Sequence, residues 1–485
     1  MSRVLDALAR RASETPDTPI LTGRGVNLTC ADLAAAVDQA RDELAALLEG
    51  LPAGAPVAVT LDNGPAWVVV DLALIALGRP SIPLPPFFSP EQRRHALTDA
   101  GACLVVSGPA ATVAPAFVVA GFPLSAERLD ARPTPLHPGT AKITYTSGST
   151  GAPKGVCLSQ AQMEDVACSL IEVIGAEFAG KHLPVLPLGV LLENVAGLYT
   201  TLIAGGCYHA LGLEDLGFSA GLRPDLRRLV DAIEAEGATS LILVPELLRA
   251  LTLALALGGR RLPALRLVAV GGAKVSPDLI AMARAVGLPA YEGYGLSECA
   301  SVVALNTPAA DRPGSVGRVL PHLKVALSAD GEVVVGPQPF LGYVGGPPQS
   351  GAVWTGDLAE MDADGWLRIH GRKSNLLITA YGRNIAPEWV ESELLAQPEI
   401  AHAAVFGEGA PELCAVLAPI RADLPAEAIE TAVARANAKL PAYAQVARWT
   451  VRPPFDLARG ELTGNGRPRR DVLRETHQAF IELQT

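Results

Sequence analysis

The chain has 485 residues, of which 49% are hydrophobic and 18% are charged, and its formal net charge is −11. Its length predicts about two to four domains, its apolar content excludes a disordered protein, and its negative charge argues against a general nucleic-acid binder. It contains no run of about 18 uninterrupted apolar residues, so we expect no membrane span.

The cysteines and the first twelve residues both favour a cytoplasmic protein. The seven cysteines are scattered and form no C-x-x-C pair, which indicates neither a disulfide scaffold nor a structural zinc site. Residues 1–12 are amphipathic and lack the apolar run and cleavage site of a signal peptide. We therefore expect a cytoplasmic location, and peripheral contact with a membrane stays open.

Strand-like and helix-like segments alternate through the first part of the chain, which predicts parallel sheets with crossover helices. The predicted strands are 57–61, 103–107, 117–120, 141–145, 156–159, 240–244 and 265–270. The predicted helices are 66–77, 225–236, 245–256 and 277–286.

The pattern changes at residue 314 to short strands and turns, with predicted strands at 331–335 and 365–369. A compact unit then follows, with predicted helices at 385–395 and 425–439 and predicted strands at 400–406 and 413–420. The sequence therefore predicts an α/β protein with two domains. Residues 1–372 would form a large N-terminal domain of layered α/β subdomains with a strand-rich distal part, and residues 373–485 a small mobile α+β domain.

The most informative segment is 144–156, T-Y-T-S-G-S-T-G-A-P-K-G-V. Its glycines let successive backbone N–H groups point into one concavity, its hydroxyls add donors, and Lys154 adds a positive charge. It is not a Walker A motif, because Pro153 and not glycine precedes the lysine. A flexible surface linker is the alternative, but the strand-like flanks argue against it. We therefore expect a polyphosphate site and a nucleotide.

Three motifs further along the chain are each weak alone: Y-G-L-S-E at 294–298, T-G-D at 355–357 and G-R at 371–372. Thr-Gly-Asp is an ordinary turn in most proteins, and Glu298 alone would be interpreted as a solvated loop acid. A nucleotide site nevertheless needs an aromatic face for the base, a carboxylate for the ribose hydroxyls and an acid that holds Mg²⁺ beside the phosphates.

The order of these motifs resembles the adenylate-forming (AMP-binding) superfamily, which includes acyl-CoA synthetases, nonribosomal-peptide adenylation domains and firefly-type luciferases. The resemblance extends from L-T-C-A-D-L at 28–33 to L-T-G-N-G-R at 462–467. The phrases L-L-E-N-V-A-G-L-Y and G-R-N-I-A-P-E-W are similar to bacterial medium- and long-chain fatty acyl-CoA synthetases. The resemblance to this superfamily implies a reaction in two steps. A carboxylate attacks the α-phosphate of ATP, and a thiol then takes the acyl group from acyl-AMP.

The resemblance also implies roles for individual residues. The β- and γ-phosphates would be held by Thr146, Ser147, Gly148, Ser149, Thr150, Gly151 and Lys154. The rest of the nucleotide would be bound by Gly272, Ala273, Tyr294, Gly295, Ser297, Asp357 and Arg372, with Tyr294 on adenine and Asp357 on the ribose. Mg²⁺ would be held by Thr146 and Glu298, and the catalytic set would be Thr146, Lys154, Glu298 and Arg467.

Two positions depart from the family's pattern. The family usually has a lysine that bridges the carboxylate and the α-phosphate, and the matching residue here is Arg467. Arginine keeps the charge in a planar fork that can still clamp phosphate, so we expect adenylation to be retained at the same or a lower rate. At the hinge the family often has Asp or Lys, and here Ser374 is compatible with rotation of the small domain.

The acid is expected to be a medium- or long-chain fatty acid, because segment 186–199 is apolar and carries small residues. The alternative is that this segment is only a core helix. The apolar tunnel, in which each buried CH₂ contributes about 0.8 kcal/mol, would be lined by Val190, Leu191, Ala196, Val270, Gly271 and Gly293. Glu193 could pair with an amine, which keeps an amino or aryl acid open.

The thiol would belong to coenzyme A or to a phosphopantetheinyl acyl-carrier protein. In both cases loop 380–384 would line its path, through Gly382 and Arg383. Three other functions stay open. An amino- or aryl-acid adenylating enzyme would load a carrier protein, a non-catalytic acyl- or nucleotide-binding relative would bind ATP without pyrophosphate exchange, and a luciferase-like oxygenase would consume oxygen.

Overall fold

The computed structural model describes residues 2–109, 115–130, 132, 134–146, 153–219, 224–456, 459–462 and 467–482. Its α-helices are α1 (Arg3–Glu14), α2 (Cys30–Leu47), α3 (Pro65–Leu77), α4 (Pro90–Asp99), α5 (Gln160–Ile174), α6 (Thr200–Ala204), α7 (Leu226–Ala235), α8 (Pro245–Gly258), α9 (Pro277–Ala285), α10 (Pro387–Leu395), α11 (Ala426–Asn437), α12 (Arg470–Thr476) and α13 (Gln478–Glu482). A π-helix over Glu193–Tyr199 continues directly into α6.

The strands are β1 (Pro19–Gly23), β2 (Val26–Thr29), β3 (Val57–Thr60), β4 (Ser81–Pro83), β5 (Leu104–Ser107), β6 (Phe117–Val119), β7 (Phe122–Arg128), β8 (Thr140–Thr146), β9 (Lys154–Ser159), β10 (Lys181–His182), β11 (Cys207–His209), β12 (Ser240–Leu243), β13 (Leu267–Val270), β14 (Ala290–Tyr294), β15 (Ala304–Leu305), β16 (Arg318–Val319), β17 (Lys324–Leu327), β18 (Glu332–Gly336), β19 (Gly342–Tyr343), β20 (Val353–Met361), β21 (Leu367–Arg372), β22 (Leu377–Ile378), β23 (Asn384–Ile385), β24 (Ile400–Phe406), β25 (Leu413–Pro419) and β26 (Val446–Val451).

Two mixed sheets form the body of the large domain. In the described part of the chain their strand orders are β16-β15-β14-β13-β12-β10-β11-β1-β2 and β19-β9-β8-β4-β3-β5-β7-β6. The neighbours β12, β13 and β14 are parallel. Ligands of open α/β sheets bind beyond the carboxyl ends of such strands, which directs attention to the residues that follow these three strands.

The central strands are short apolar runs because both of their faces are covered. In β12 every residue is buried, and α3 is buried along most of its length. The start of α5, which packs beside the candidate site, is set by a capping box in which Ser159 and Gln162 satisfy each other's backbone N–H groups.

A buried polar group, the Lys142 cluster (Asp71, Lys142, Asn194 and Tyr199), anchors the π-helix to the sheet. Lys142 Nζ, in β8, donates to Asp71 Oδ1 at 2.5 Å and to Asn194 Oδ1 at 2.7 Å. The Tyr199 hydroxyl donates to Asp71 Oδ2 at 2.7 Å. Because Asn194 and Tyr199 belong to the π-helix, these bonds hold that helix against the sheet and set the position of the residues that follow it.

The strand-rich distal part and the small domain complete the fold. The distal sheet has the order β17-β18-β20-β21, and the small domain packs α10 and α11 on the sheet β24-β25-β26. A short 3₁₀ helix, Lys373–Asn375, connects the two parts. The predicted α/β architecture with a small C-terminal domain is therefore confirmed.

The predicted strands and helices agree with the structure, with ends displaced by at most three residues. One helix predicted from residue 385 begins later, at Pro387, because residues 384–385 pair as β23 with β22. Proline suits this first helical position because its φ is already helical. Within the described ranges, no helix has the length and apolar character needed to cross a membrane.

Candidate active site

A cavity of about 2370 Å³ lies beyond the carboxyl ends of β12, β13 and β14 and is lined by residues of both domains. Many residues predicted for the site line it: Thr146, Lys154, Val190, Leu191, Ala196, Val270, Gly271, Gly272, Ala273, Gly293, Tyr294, Gly295, Ser297, Glu298, Asp357, Arg372, Ser374 and Arg467. Ser147, Gly148, Ser149, Thr150 and Gly151 lie outside the described residues.

One wall of the cavity carries the Asp357 cluster (Tyr294, Asp357 and Arg372). The Tyr294 hydroxyl donates to Asp357 Oδ2 at 2.6 Å, and Arg372 Nε lies 2.9 Å from Asp357 Oδ1. Asp357 and Arg372 are direct partners in the β20–β21 pair. Burial, and then the charge of Asp357, raise the pKa of Tyr294, so its hydroxyl stays a donor. The cluster presents an aromatic ring, a fixed carboxylate and a cation to the cavity.

The two described residues that flank the predicted phosphate loop also line the cavity. Thr146 ends β8 and Lys154 begins β9, and the two are paired in register. The Lys154 ammonium lies 5.5 Å from the centre of the Tyr343 ring, and the Tyr343 hydroxyl donates to Glu298 Oε1 at 2.8 Å. Tyr343 thus connects the predicted phosphate-binding lysine with the predicted acid.

Sequence reasoning missed Tyr343. Its sequence context, G-Y-V-G-G, reads as an ordinary turn. Its position depends on β19, in which Tyr343 pairs with Val156 of β9 beside the phosphate loop. Burial, and then the charge of Glu298, raise the pKa of Tyr343.

Gly295 lets the chain turn sharply between Tyr294 and Glu298. A Cβ at this position would lie 1.6 Å from the carbonyl oxygen of Ser301, so another residue would displace the turn. The following 3₁₀ helix, Ser297–Cys299, carries Glu298. The Y-G-L-S-E motif therefore places an aromatic ring and an acid on the same cavity.

The donors predicted for Mg²⁺ are one carboxylate, Glu298, and the hydroxyl of Thr146. Among the residues that the structure describes, no group of three or more His, Cys, Asp or Glu side chains could hold a metal ion. A single carboxylate suits Mg²⁺ beside a nucleotide, where one or two carboxylates and the phosphates of the substrate hold the ion. The residues present fit a metal ion that arrives with a nucleotide.

The cavity continues as a channel along the sheet toward the amino ends of β12 and β13. Its sheet wall is formed by Ser240, Ile242, Leu267 and Ala269, and its helical wall by Leu170, Ile171, Ile174, Ala196, Thr200, Thr201 and Ala204. Ala196 and Ala204 lie eight residues apart on this wall, which runs from the π-helix into α6. The channel is therefore elongated and mostly apolar.

Two polar side chains, His182 and Ser240, also line this channel. His182 Nδ1 lies 2.9 Å from Ser240 Oγ, and His182 Nε2 lies 2.8 Å from Glu193 Oε1. The Tyr208 hydroxyl donates to the same Glu193 oxygen at 3.0 Å. Glu193 is fully buried. It is therefore unavailable to a substrate amine, contrary to the interpretation that the sequence left open.

Lys274 and the buried acid Glu292 both line the cavity. Lys274 Nζ donates to the carbonyl oxygen of Ile369 at 2.5 Å, and the N–H of Val275 donates to Glu292 Oε1 at 3.4 Å. Burial raises the pKa of Glu292 to about 8, against the opposing charge of Lys274. Burial also lowers the pKa of Lys274.

Arg467 reaches the cavity from the small domain. Burial between the domains, and then the positive charge of Arg372, lower the pKa of its guanidinium, and Glu246 and Asp357 act in the opposite direction. The residue that stands in place of the family's lysine thus lies within electrostatic range of the Asp357 cluster.

The two residues that were predicted to line the path of the thiol lie outside the cavity. Gly382 and Arg383 do not line the cavity. Gly382 has a φ of 69°, which suits glycine in a tight turn, and the Arg383 guanidinium lies 5.6 Å from the centre of the Tyr443 ring. Their role in guiding a thiol stays a prediction.

Comparison with known proteins gives concordant results. A family model described as AMP-binding enzyme matches residues 8–344, and one described as AMP-binding enzyme C-terminal domain matches residues 374–482. The chain is 26% identical to the long-chain-fatty-acid–CoA ligase FadD15 of Mycobacterium bovis, over 96% of this chain and 93% of that protein. It is 29% identical to the feruloyl-CoA synthase of an Amycolatopsis species, over 82% of this chain and 84% of that protein.

The fold is also that of a solved structure. The anthranilate CoA ligase AuaEII, in complex with anthranoyl-AMP, matches with a TM-score of 0.81 and 19% identity, over 99% of this chain and 98% of that chain.

Proposed function

Because the chain belongs to the AMP-binding enzyme family, we propose that it joins an elongated, apolar carboxylic acid, a medium- or long-chain fatty acid, to the thiol of coenzyme A. In the first step a carboxylate oxygen bonds to the α-phosphorus of ATP, the bond to the bridging oxygen breaks, and pyrophosphate leaves. In the second step the thiolate sulfur bonds to the acyl carbon and AMP leaves. Coenzyme A is favoured over a carrier protein because the relatives described above are named a long-chain-fatty-acid–CoA ligase and a feruloyl-CoA synthase.

The observation that carries the choice of acid is the channel. It opens beside Gly271 and continues past Ala196 to Ala204, and its walls are mainly aliphatic. Each CH₂ group of an alkyl chain buried there would contribute about 0.8 kcal/mol. The small side chains of Ala196 and Ala204 on its helical wall suit an alkyl chain.

The proposed roles are those of positioning and charge neutralisation. Asp357 would accept hydrogen bonds from the ribose hydroxyls while Tyr294 stacks on adenine. Lys154, with the loop after Thr146, would hold the β- and γ-phosphates. Mg²⁺ bound to ATP would neutralise phosphate charge, and Glu298 is the carboxylate that would hold it, with the Thr146 hydroxyl.

Arg467 would face the carboxylate of the acid and the α-phosphate of ATP. Its guanidinium would stabilise the negative charge that gathers on the phosphate oxygens as the new bond forms. Ser374 would then serve as the hinge by which the small domain moves, and Gly382 and Arg383 would line the path of the thiol after that movement.

The first experiment is acid-dependent ATP–pyrophosphate exchange with Mg²⁺, across fatty acids of increasing length, aryl acids and amino acids. We expect exchange with medium- or long-chain fatty acids. Exchange with amino acids only would contradict the proposed acid. ATP binding without exchange for any acid would favour the non-catalytic interpretation.

A matched pair of variants sharpens this experiment. Ala204→Phe narrows the far end of the channel and should lower exchange only with the longest acids. Ala196→Phe narrows the channel near the reacting carboxylate and should also lower exchange with shorter acids. The same loss at every chain length in both variants would argue against an acyl chain in this channel.

An aryl acid is the second candidate, because His182 and Ser240 place polar groups on the channel wall. Such groups could receive a ring substituent, and one relative is a feruloyl-CoA synthase. Exchange with aryl acids that exceeds exchange with fatty acids would select this candidate. In that case Ser240→Ala should lower exchange with hydroxylated aryl acids and leave exchange with unsubstituted ones unchanged.

A further inference from the structure

A polar pair interrupts the apolar face that the sheet turns toward the channel. Ser240 of β12 is paired in register with Leu267 of β13 and with His182 of β10, so these three side chains point to one face of the sheet. Ile242, two residues along β12, shares that face, whereas Val268 points to the other side and belongs to a separate apolar core. The Ser240 hydroxyl and the His182 ring therefore lie on the side of the sheet that faces the channel.

Glu193 and Tyr208 support this pair from behind. His182 Nε2 lies 2.8 Å from Glu193 Oε1, and the His182 ring stacks on the Tyr208 ring with 5.4 Å between the ring centres. A carboxylate only accepts hydrogen bonds, so His182 donates through Nε2, and Nδ1 of the neutral ring accepts from Ser240 Oγ at 2.9 Å. The hydrogen of the Ser240 hydroxyl is thus used on His182, and its oxygen is left as an acceptor.

The network contains more polar chemistry than a structural core requires. Ile242 and Leu267, on the same face of the sheet, are apolar and need no partner. Glu193 Oε2 is buried without a hydrogen-bond partner among the described residues, which is unfavourable for stability. A Cβ at Gly197 would lie 2.2 Å from Glu193 Oε1, so the glycine leaves room for this carboxylate. The π-helix that carries both residues is a rare element that often occurs at functional sites.

We propose that Ser240 is a specificity-determining residue, which accepts a hydrogen bond from a hydroxyl group on the acyl chain, and that His182 and Glu193 position it. The inference rests on the proposed function and names a narrower substrate class, the hydroxylated fatty acids. A hydroxyl that is buried in an apolar channel without a partner is unfavourable. An acceptor at one depth of the channel therefore selects acids whose hydroxyl reaches that depth.

The position of Ser240 along its strand sets this depth. Gly271, beside which the channel opens, donates its backbone N–H to the carbonyl oxygen of Leu243 at 3.1 Å. Ser240 begins β12 and Leu243 ends it, so at about 3.3 Å per residue Ser240 lies about 10 Å farther from the opening. The selected hydroxyl is therefore carried well along the acyl chain and not beside the carboxylate.

The test is acid-dependent pyrophosphate exchange with fatty acids of one length that carry a hydroxyl at successive positions. We expect kcat/KM for the best isomer to exceed that of the unsubstituted acid about tenfold, as expected for one hydrogen bond. Isomers with the hydroxyl next to the carboxylate should show no such preference. An oxo group at the best position should not replace the hydroxyl, because a carbonyl only accepts and the hydrogen of Ser240 is used on His182.

Two variants separate the acceptor from the residue that positions it. Ser240→Ala removes the acceptor, so the hydroxylated and unsubstituted acids should be used with nearly equal kcat/KM. His182→Phe keeps a ring in place but frees the Ser240 hydroxyl to rotate and donate. In that variant the preference for the hydroxy acid over the oxo acid should disappear, which loss of stability alone would not cause.

A second buried serine–histidine pair provides the matched control. Ser169 Oγ lies 2.8 Å from His322 Nδ1, and neither residue lines the cavity. Ser169→Ala removes the same chemical group at a distance from the channel. It should leave the ratio of kcat/KM for hydroxylated and unsubstituted acids within about twofold of the wild type.

Thermal unfolding shows whether each variant is folded, and Ser240→Cys, whose sulfur is a weak acceptor, takes the place of an unfolded Ser240→Ala. Equal use of the unsubstituted acid and every isomer by the wild type, or an unchanged ratio in the Ser240 variant, would overturn the inference and leave the proposed function standing. Faster exchange with hydroxylated aryl acids than with any hydroxylated fatty acid would assign the acceptor to a ring substituent and overturn the choice of an acyl chain. A wild-type protein that shows no exchange with any acid would overturn the proposed function itself.

Discussion

The Lys142 cluster and the Asp357 cluster each combine a carboxylate, a tyrosine hydroxyl and a basic side chain, and they differ in what surrounds these groups. Each contains a carboxylate that accepts a hydrogen bond from a tyrosine hydroxyl, at 2.7 Å in the first and 2.6 Å in the second. Each carboxylate also pairs with a basic group, at 2.5 Å and 2.9 Å. The basic side chain is 1% exposed in the first cluster and 43% exposed in the second.

Exposure toward the cavity, more than the identity of the groups, separates a structural cluster from one that is suited to binding. In the Lys142 cluster the partners bind one another from all sides, so they stabilise the π-helix against the sheet. In the Asp357 cluster the carboxylate is held in place while Arg372 keeps almost half of its surface free for a ligand. The following variants test this comparison.

The largest effect is expected from Lys142→Met. This change removes the cation and leaves the carboxylate of Asp71 buried without its charge partner. Loss of one member of a buried ion pair lowers the free energy of unfolding by about 3–5 kcal/mol. Urea unfolding measures that change, and exchange activity per folded molecule should fall less than in Asp357→Asn.

The double variant Asp71→Asn, Lys142→Met is the control for this prediction. It removes both charges at once, so a large part of the lost stability should return. If Lys142→Met were as stable as the wild type, the cluster would contribute no more than a surface pair, and the contrast with the Asp357 cluster would fail.

The second variant, Asp357→Asn, should show the reverse pattern, with a large loss of activity and a small loss of stability. Its side chain keeps an acceptor for Tyr294 but loses the charge that pairs with Arg372. We expect kcat/KM for ATP to fall about 100-fold, which corresponds to about 2 to 3 kcal/mol for hydrogen bonds to a charged group. The free energy of unfolding should change by less than about 1 kcal/mol. A stability loss as large as that of Lys142→Met would make the Asp357 cluster structural as well.

Most of the fold could be predicted from the sequence because its elements have strong local patterns. The strands β12 and β13 are short apolar runs between turn residues, and α3 is an apolar segment with Gly64 before it and Gly78 after it. The π-helix over Glu193–Tyr199 could not be predicted in this way. It is held by Lys142, which lies about fifty residues away, and that contact exists only in the folded chain.

The candidate site was predicted only where a motif carried it. The motif residues Tyr294, Asp357 and Arg372 meet at one wall of the cavity, as expected for a nucleotide site. Tyr343 lies outside every motif, since its partners Lys154 and Glu298 come from distant parts of the chain. Glu193 was open as an amine partner because the sequence does not reveal that neighbouring strands bring His182 and Tyr208 to its carboxylate.

A third variant, Glu292→Gln, examines a buried acid that lies at the cavity wall within electrostatic range of Lys274. Burial raises the pKa of Glu292 from its ordinary value of 4.5 to about 8. Between these values the folded protein holds a proton that the unfolded chain has lost, so stability falls as the pH rises. The free energy of unfolding falls by about 1.4 kcal/mol per pH unit. Gln cannot titrate, so the unfolding free energy of the wild type should fall relative to that of Glu292→Gln between pH 6 and pH 7. A constant difference would mean that Glu292 is already charged in this range.

The smallest effect is expected from Tyr343→Phe, because the hydroxyl that it removes is neutral and one hydrogen bond is lost. The ring beneath Lys154 remains, but Glu298 loses the donor that orients it. We expect exchange to slow about tenfold or less, in keeping with about 1 kcal/mol for one hydrogen bond. The dependence on Mg²⁺ and ATP should change, and KM for the acid should not, because Glu298 lies on the phosphate side.

Tyr291→Phe is the matched control, since that tyrosine packs on Arg284 and does not line the cavity. Equal effects of the two variants would mean that the Tyr343 hydroxyl does not orient Glu298. The contrast with the buried Lys142 cluster would then depend on the Asp357 cluster alone.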